Sequence, residues 1–168
     1  MRILIILILT VAVAVSAFGQ QSLRPGQQAP NFTGQALDGQ AFSLDQLQGK
    51  VVLLTFWSTR CQICHSEIPK LNRVVEHYRG QNVVFIGVTM DNQVKIDPYL
   101  RKNPFNFNIL PNAFGVMLQY ADRDRSGNIN MGFPAHFLID RRGAIAVRTD
   151  GWDKAENIDA AIGRLLSE

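Results

Sequence analysis

Residues 51–69 read VVLLTFWSTRCQICHSEIP, and the order of residue types in this stretch decides the fold. The first seven residues, rich in Val, Leu, Thr, Phe and Trp, have the composition of a buried strand. They run straight into Cys61-Gln62-Ile63-Cys64, and the residues beyond carry a helical pattern. The two cysteines of the chain therefore sit at a strand-to-helix junction. Unpaired backbone N–H groups and the positive end of the helix dipole favour an anion at such a junction. The anion that fits is a thiolate on Cys61, the N-terminal member of the pair. The chemistry predicted is dithiol–disulfide exchange, with Cys61 as nucleophile and Cys64 as resolving thiol.

The first 19 residues are different in kind. Arg2 precedes the apolar run ILIILILTVAVAV, and Ser16-Ala17-Phe18-Gly19 follows it. This is the layout of a secretory signal peptide over 1–19, with cleavage after Ala17 or Gly19, leaving one domain over 20–168 and a periplasmic location. The run is short for a membrane span of ~20 apolar residues, so membrane contact is expected only if the segment stays uncleaved as an anchor. With no cysteine near the cleavage region, a cysteine-linked lipid anchor is excluded. In an exported domain a cysteine pair is by default a structural staple. A staple that closes a loop of two intervening residues constrains little of the unfolded chain, so the spacing favours chemistry. With 46% hydrophobic and 18% charged residues the composition is that of an ordinary globular domain. The 17 basic and 14 acidic residues are scattered without a Lys/Arg run, which argues against a nucleic-acid partner.

Along the chain, Gln20–Gln28 reads as a short polar leader. Asn31–Leu44 reads as two short strands joined through Asp38-Gly39, a strong hairpin dipeptide. Ser43 with Gln46 suggests a capping box for a brief helix that Gly49 ends. Asn31-Phe32-Thr33 matches a glycosylation acceptor but reads as a solvated strand end. After strand 51–57, a helix is predicted from Cys61 to Tyr78, with a kink or local break at Pro69. Val83–Met90 is a second near-continuous apolar strand, which makes a parallel βαβ unit with the first. Asp97-Pro98 is expected to open a helix through Lys102, and Ala113–Tyr120 to be helical. Ile109–Pro111 is ambiguous, and 121–130 (ADRDRSGNIN) is expected to be a polar loop. Ala135–Asp140 and Ala144–Arg148 read as a hairpin about Arg142-Gly143, and Lys154–Leu166 as a helix with one buried face.

Four local patterns resemble the TlpA/ResA-like thiol–disulfide oxidoreductases, exported proteins of the thioredoxin-like superfamily. PGQQAPNFTGQALDGQAFSLDQLQGK resembles their N-terminal hairpin, and VVLLTFWSTRCQICHSEIP their strand, active-site turn and helix. Gly132-Phe133-Pro134 before AHFLID resembles the cis-proline loop that faces CxxC, and Arg142-Gly143-Ala144-Ile145 the turn and strand after it. The resemblance implies an α/β thioredoxin-like fold: a central mixed β-sheet flanked by helices, with an N-terminal β-hairpin extension. It implies cysteine-containing substrate proteins and a redox partner protein, no cofactor and no metal, and reduction of apocytochrome cysteine pairs as in some relatives. The chain departs from the pattern at Arg60, where a Trp usually precedes the first cysteine. It also departs at 117–131, a longer connection, and at Phe133, larger than the usual residue before the cis-proline.

The site this implies joins Cys61, Cys64, Glu67 and Pro134 as catalytic residues with Trp57, Arg60 and Phe133 as substrate-binding residues. Glu67 lies three residues after Cys64, so on a helix the two share a face. In the family pattern CxxCxxE such a glutamate handles protons near the dithiol. General thioredoxins place a buried Asp six residues before the first cysteine, and here that position is Thr55. Arg60 adds positive charge beside Cys61, favouring its thiolate. Trp57 is expected as an active-site shelf, and Phe56 as core.

Three other chemistries share part of these patterns. Cys61-Gln62-Ile63-Cys64-His65 also satisfies the c-type haem attachment pattern, whose usual context is a small helical domain rather than a strand-to-helix junction. A peroxiredoxin-like peroxidase would carry Pro-x-x-x-Thr-x-x-Cys, whereas Ser58 stands three before Cys61 with no such proline upstream. Asp122–Gly127 resembles the start of a calcium loop, but the twelfth position is Phe133 and two arginines interrupt the ligands.

Overall fold

A computed structural model describes residues 22–151 and 155–168, so the signal-peptide expectation lies outside the described residues. In chain order the strands and helices are β1 (Thr33–Gln35), β2 (Ala41–Ser43), β3 (Val51–Phe56), α1 (Gln62–His77), β4 (Val83–Val88), α2 (Gln93–Leu100), β5 (Asn108–Leu110) and α3 (Phe114–Tyr120). They continue with β6 (Asp122–Arg123), β7 (Ile129–Asn130), β8 (Ala135–Ile139), β9 (Ile145–Asp150) and α4 (Ala155–Ser167). Five strands form the central sheet in the order β5-β4-β3-β8-β9. The β3–β4 and β4–β5 pairs are parallel, while β8 and β9 run antiparallel, so the sheet is mixed.

Strand β3 lies in the middle of this sheet and is buried along its whole length, as its unbroken apolar composition requires. Alternate residues feed two separate cores. Val52, Leu54 and Phe56 pack toward α3 and the β1–β2 hairpin, whereas Val51, Leu53 and Trp57 pack toward α1, α2 and α4. Helix α1 buries Cys64, Glu67, Ile68, Leu71 and Val74 at helical spacing, and it runs from Gln62 to His77 through Pro69 without a break. Against it, α4 buries Ile158, Ala161 and Ile162, and the Tyr78 hydroxyl donates to the Asp159 carbonyl at 2.8 Å.

Two expectations are corrected. Helix α2 opens at Asn92, whose side chain accepts from Lys95 N–H at 3.1 Å, and Pro98 lies inside it. Asn92 is the better cap because it lets fully buried Ile96 reach the core. Residues 122–130 are not a loop throughout: β6 and β7 pair as a short hairpin, turned through Gly127 at φ 81°. Ahead of β1, Gly26, Gln27 and Ala29 bond to the backbone of Gly143 and Ile145. The Asp38-Gly39 hairpin, the short helix after Ser43 and the 135–150 hairpin form where the sequence puts them, although Ser43 makes no side-chain cap bond.

Candidate active site

Cys61 and Cys64 are joined by a disulfide with Cα atoms 5.2 Å apart. Cys61 is the N-cap of α1, and its sulfur accepts the Cys64 backbone N–H at 3.1 Å. That donor and the helix dipole act on the sulfur that opens to solvent, since Cys61 is partly exposed and Cys64 is buried at 2%. The pair is therefore asymmetric: Cys61 is the more exposed residue and caps the helix, while Cys64 is enclosed by the core. Arg60 is exposed beside Cys61, so solvent screens the charge it lends.

The turn ahead of Cys61 is pinned from a neighbouring strand. The Thr59 N–H and hydroxyl both donate to Asp91 Oδ2, at 2.8 and 2.9 Å. Asp91 N–H in turn donates to the Thr89 hydroxyl at 3.1 Å. His65 Nε2 lies 3.1 Å from the Thr59 carbonyl, and because a carbonyl only accepts, that nitrogen carries the proton. The His65 ring also packs on Tyr99 with centroids 4.7 Å apart. Sequence reasoning missed Asp91; the available signal was an acidic residue just past the carboxyl end of a parallel strand adjacent to the one that delivers CxxC.

Glu67 is buried at 3%, one helical turn beyond Cys64 on the same face. Its Oε2 lies 3.1 Å from His136 Nε2, and His136 Nδ1 lies 3.0 Å from the Thr55 hydroxyl. His136 also went unnoticed in the sequence, although the alternation in AHFLID puts it on the same buried face as Leu138.

The Phe133–Pro134 peptide is cis, Pro134 is buried, and its carbonyl accepts the Gly151 N–H at 3.0 Å. Phe133 is partly buried and borders the same core as Cys61. The active-site shelf expected of Trp57 is corrected. Its ring is fully buried, packed on Phe105 at 5.4 Å and Tyr99 at 5.6 Å in the same core as the cysteine pair, so it offers no surface to a substrate. Asp124, within the calcium-like pattern, spends its carboxylate on its own turn, accepting from Ser126 N–H, Asn128 N–H and the Asn128 side chain. Those bonds hold its carboxyl below the usual carboxylate range.

A mixed sheet with a CxxC disulfide at the N-terminus of the helix that follows its central strand defines a thioredoxin-like protein. Residues 25–148 match the AhpC/TSA family, and the chain belongs to that family. Among curated relatives, the thiol-disulfide oxidoreductase ResA of Bacillus cereus is 25% identical over 98% of this chain and 94% of the relative. ResA of Halalkalibacterium halodurans is 30% identical over 90% of this chain and 86% of the relative. The thioredoxin domain of a thiol-disulfide oxidoreductase from Bacteroides vulgatus superposes with a TM-score of 0.69 at 25% identity, covering 84% of this chain and 99% of that one. The protein is an enzyme, a TlpA/ResA-like thiol–disulfide oxidoreductase.

Proposed function

We propose that Cys61 and Cys64 are the reacting pair and that the enzyme reduces disulfides in exported proteins. The observation that carries this is the asymmetry of the pair: an N-capping, solvent-reachable Cys61 sulfur against a buried Cys64. In the reduced enzyme, Cys61 thiolate attacks a substrate disulfide, and one substrate sulfur leaves with the electron pair. Cys64 then attacks Cys61 in the mixed disulfide, which closes the enzyme disulfide and frees the second substrate sulfur. Glu67, one turn from Cys64, takes the Cys64 proton in this step. Phe133 and Pro134 form the rim on which an extended substrate segment docks, and Arg60 lends that rim positive charge.

The buried carboxylate supports the reducing direction. A second anion next to Glu67 is disfavoured, which destabilises the reduced, ionised pair relative to the disulfide. The potential expected is near that of reducing thioredoxins, about −270 mV, rather than near about −120 mV. Cysteine pairs of apocytochromes are the substrate class proposed, with a separate thiol–disulfide protein as the source of electrons. Export rests on residues 1–19, and the mature protein is expected to begin after Ala17 or Gly19.

The test is reduction of an oxidised Cys-x-x-Cys-His peptide by the prereduced domain, followed by peptide mass. Wild type is expected to reduce it, and Cys61→Ser to lose all activity. If the peptide stays oxidised while a covalent haem adduct forms on Cys61 and Cys64, the exchange reading fails. Peroxide consumed rapidly through Cys61 alone would likewise replace it with a peroxidase.

A further inference from the structure

Under the active-site helix lies a polar row that the exchange chemistry does not by itself demand. Thr55 on β3, His136 on β8 and Thr149 on β9 are direct register neighbours across three adjacent strands. Directly opposed residues share a face, and the adjacent row on that face is Leu53, Leu138 and Val147, all packed in the core under α1. A second apolar row would fit this layer. Instead Thr55 and His136 are 0% and 1% exposed, and burying such groups costs free energy unless each finds a partner.

His136 has one at each ring nitrogen: the Thr55 hydroxyl at 3.0 Å and Glu67 Oε2 at 3.1 Å. With the proton on Nε2, the ring donates to an ionised Glu67 carboxylate and accepts the Thr55 hydroxyl proton. With the proton on Nδ1, Glu67 would itself have to be protonated to fill Nε2. The first arrangement lets a buried carboxylate stay charged, because a strong donor compensates it.

We propose that His136 is a positioning residue for proton exchange at the dithiol, its Nε2–H holding the Glu67 carboxylate ionised on the Cys64 face of α1 while Thr55 fixes the ring. The inference rests on Cys61 and Cys64 being the reacting pair and on Glu67 accepting the Cys64 proton. As the mixed disulfide resolves, the Cys64 S–H bond breaks and its proton passes to the Glu67 carboxylate. The Cys64 sulfur bonds to Cys61, the bond from Cys61 to the substrate sulfur breaks, and that sulfur leaves as a thiolate with the electron pair. An external dithiol reductant later reopens the enzyme disulfide, and the proton returns to Cys64.

Among the described residues, α1 contributes Glu67 and the cysteine pair to this layer, with Lys70 three residues beyond Glu67 on the same helix, while β3 and β9 contribute hydroxyls. Helix α4 contributes apolar Ile158, Ala161 and Ile162. Arg148 lies on the opposite face of the sheet, over the Phe137 ring at 5.3 Å. Among the described residues the buried Thr149 hydroxyl finds no hydrogen-bond partner, and it extends the polar row toward the sheet edge.

The experiment is single-turnover resolution of a preformed mixed disulfide on Cys61, measured from pH 5 to 9. In wild type the rate rises with pH along a limb that Glu67→Gln abolishes. His136→Leu is expected to shift that limb upward by about one pH unit and slow resolution at neutral pH about tenfold, the loss of one hydrogen bond to a charged group. His136→Gln keeps an N–H donor at the Nε2 position and should recover most of the rate. A folded His136→Leu protein with the wild-type limb overturns the inference and leaves the exchange reading standing; a wild type that never resolves the mixed disulfide sinks both. Should His136→Leu fail to fold, nitrogen-15 shifts of the wild-type ring decide: Nε2 protonated in the oxidised protein supports the proposal, and a bare Nε2 overturns it.

Discussion

At the residue scale, two cysteines separated by two residues meet opposite environments. Cys61 caps a helix at the surface, and Cys64 is enclosed. In the reduced protein, iodoacetamide should therefore alkylate Cys61 well before Cys64, read as a single adduct by peptide mass; equal rates would remove the basis for assigning nucleophile and resolver. Gly87 shows how tightly this region is built. A Cβ there would lie 2.7 Å from Ile109 Cδ1 and 3.1 Å from Trp57 Nε1. Gly87→Ala should cost about 1–3 kcal/mol by overpacking, measured by urea denaturation. Cys61, Cys64 and Glu67 were legible in the sequence because one helix carries all three at fixed spacing. His136 and Asp91 were not, since strand register and a neighbouring strand end bring them to the site from 69 and 32 residues away.

At the scale of elements, the reactive turn is held by the end of β4 as much as by its own helix. Asp91→Ala removes the one oxygen that accepts both Thr59 hydrogen bonds and should slow disulfide exchange while costing about 1–3 kcal/mol of stability. Unchanged exchange in the folded variant would mean that the turn holds its shape without Asp91. Strands β3, β4, β8 and β9 and helices α1 and α4 could be read from apolar runs and helical spacing, because the core they build follows those periods. The start of α2 could not. Asp97-Pro98 has the chemistry of a helix opening, but Asn92 caps earlier and burial of Ile96 decides between them. The β6–β7 hairpin was hidden for a related reason: with two residues per strand, too little pattern exists to detect.

At the scale of the molecule, Arg148 ties distant segments together. Its guanidinium donates to both Asp122 oxygens at 2.7 Å, to the Ser22 hydroxyl at 2.8 Å and to the Leu23 carbonyl at 3.0 Å. The hydrogen bonds from Arg148 hold the Asp122 carboxyl below its ordinary value, against the opposing effect of partial burial. A carboxyl depressed in the folded state stabilises above its unfolded value of about 3.9, and the contribution fades as pH falls through the lower folded value. Asp122→Asn should thus cost about 1 kcal/mol at pH 7, the upper range for a partly exposed ion pair, and less near pH 2. A loss of the same size at both pH values would show that charge is not the cause. The overall architecture was legible because the TlpA/ResA-like patterns fall in order along the chain, from the hairpin through CxxC to Phe133-Pro134 and the final strand.

The central claim is exchange through Cys61 with Cys64 as resolver, and trapping tests it most directly. A Cys64→Ser variant expressed as the full chain should accumulate disulfide-linked complexes through Cys61, released by dithiothreitol and absent in the Cys61→Ser, Cys64→Ser double variant. A Cys64→Ser protein that stays a free monomeric thiol in the presence of disulfide substrates would contradict the account.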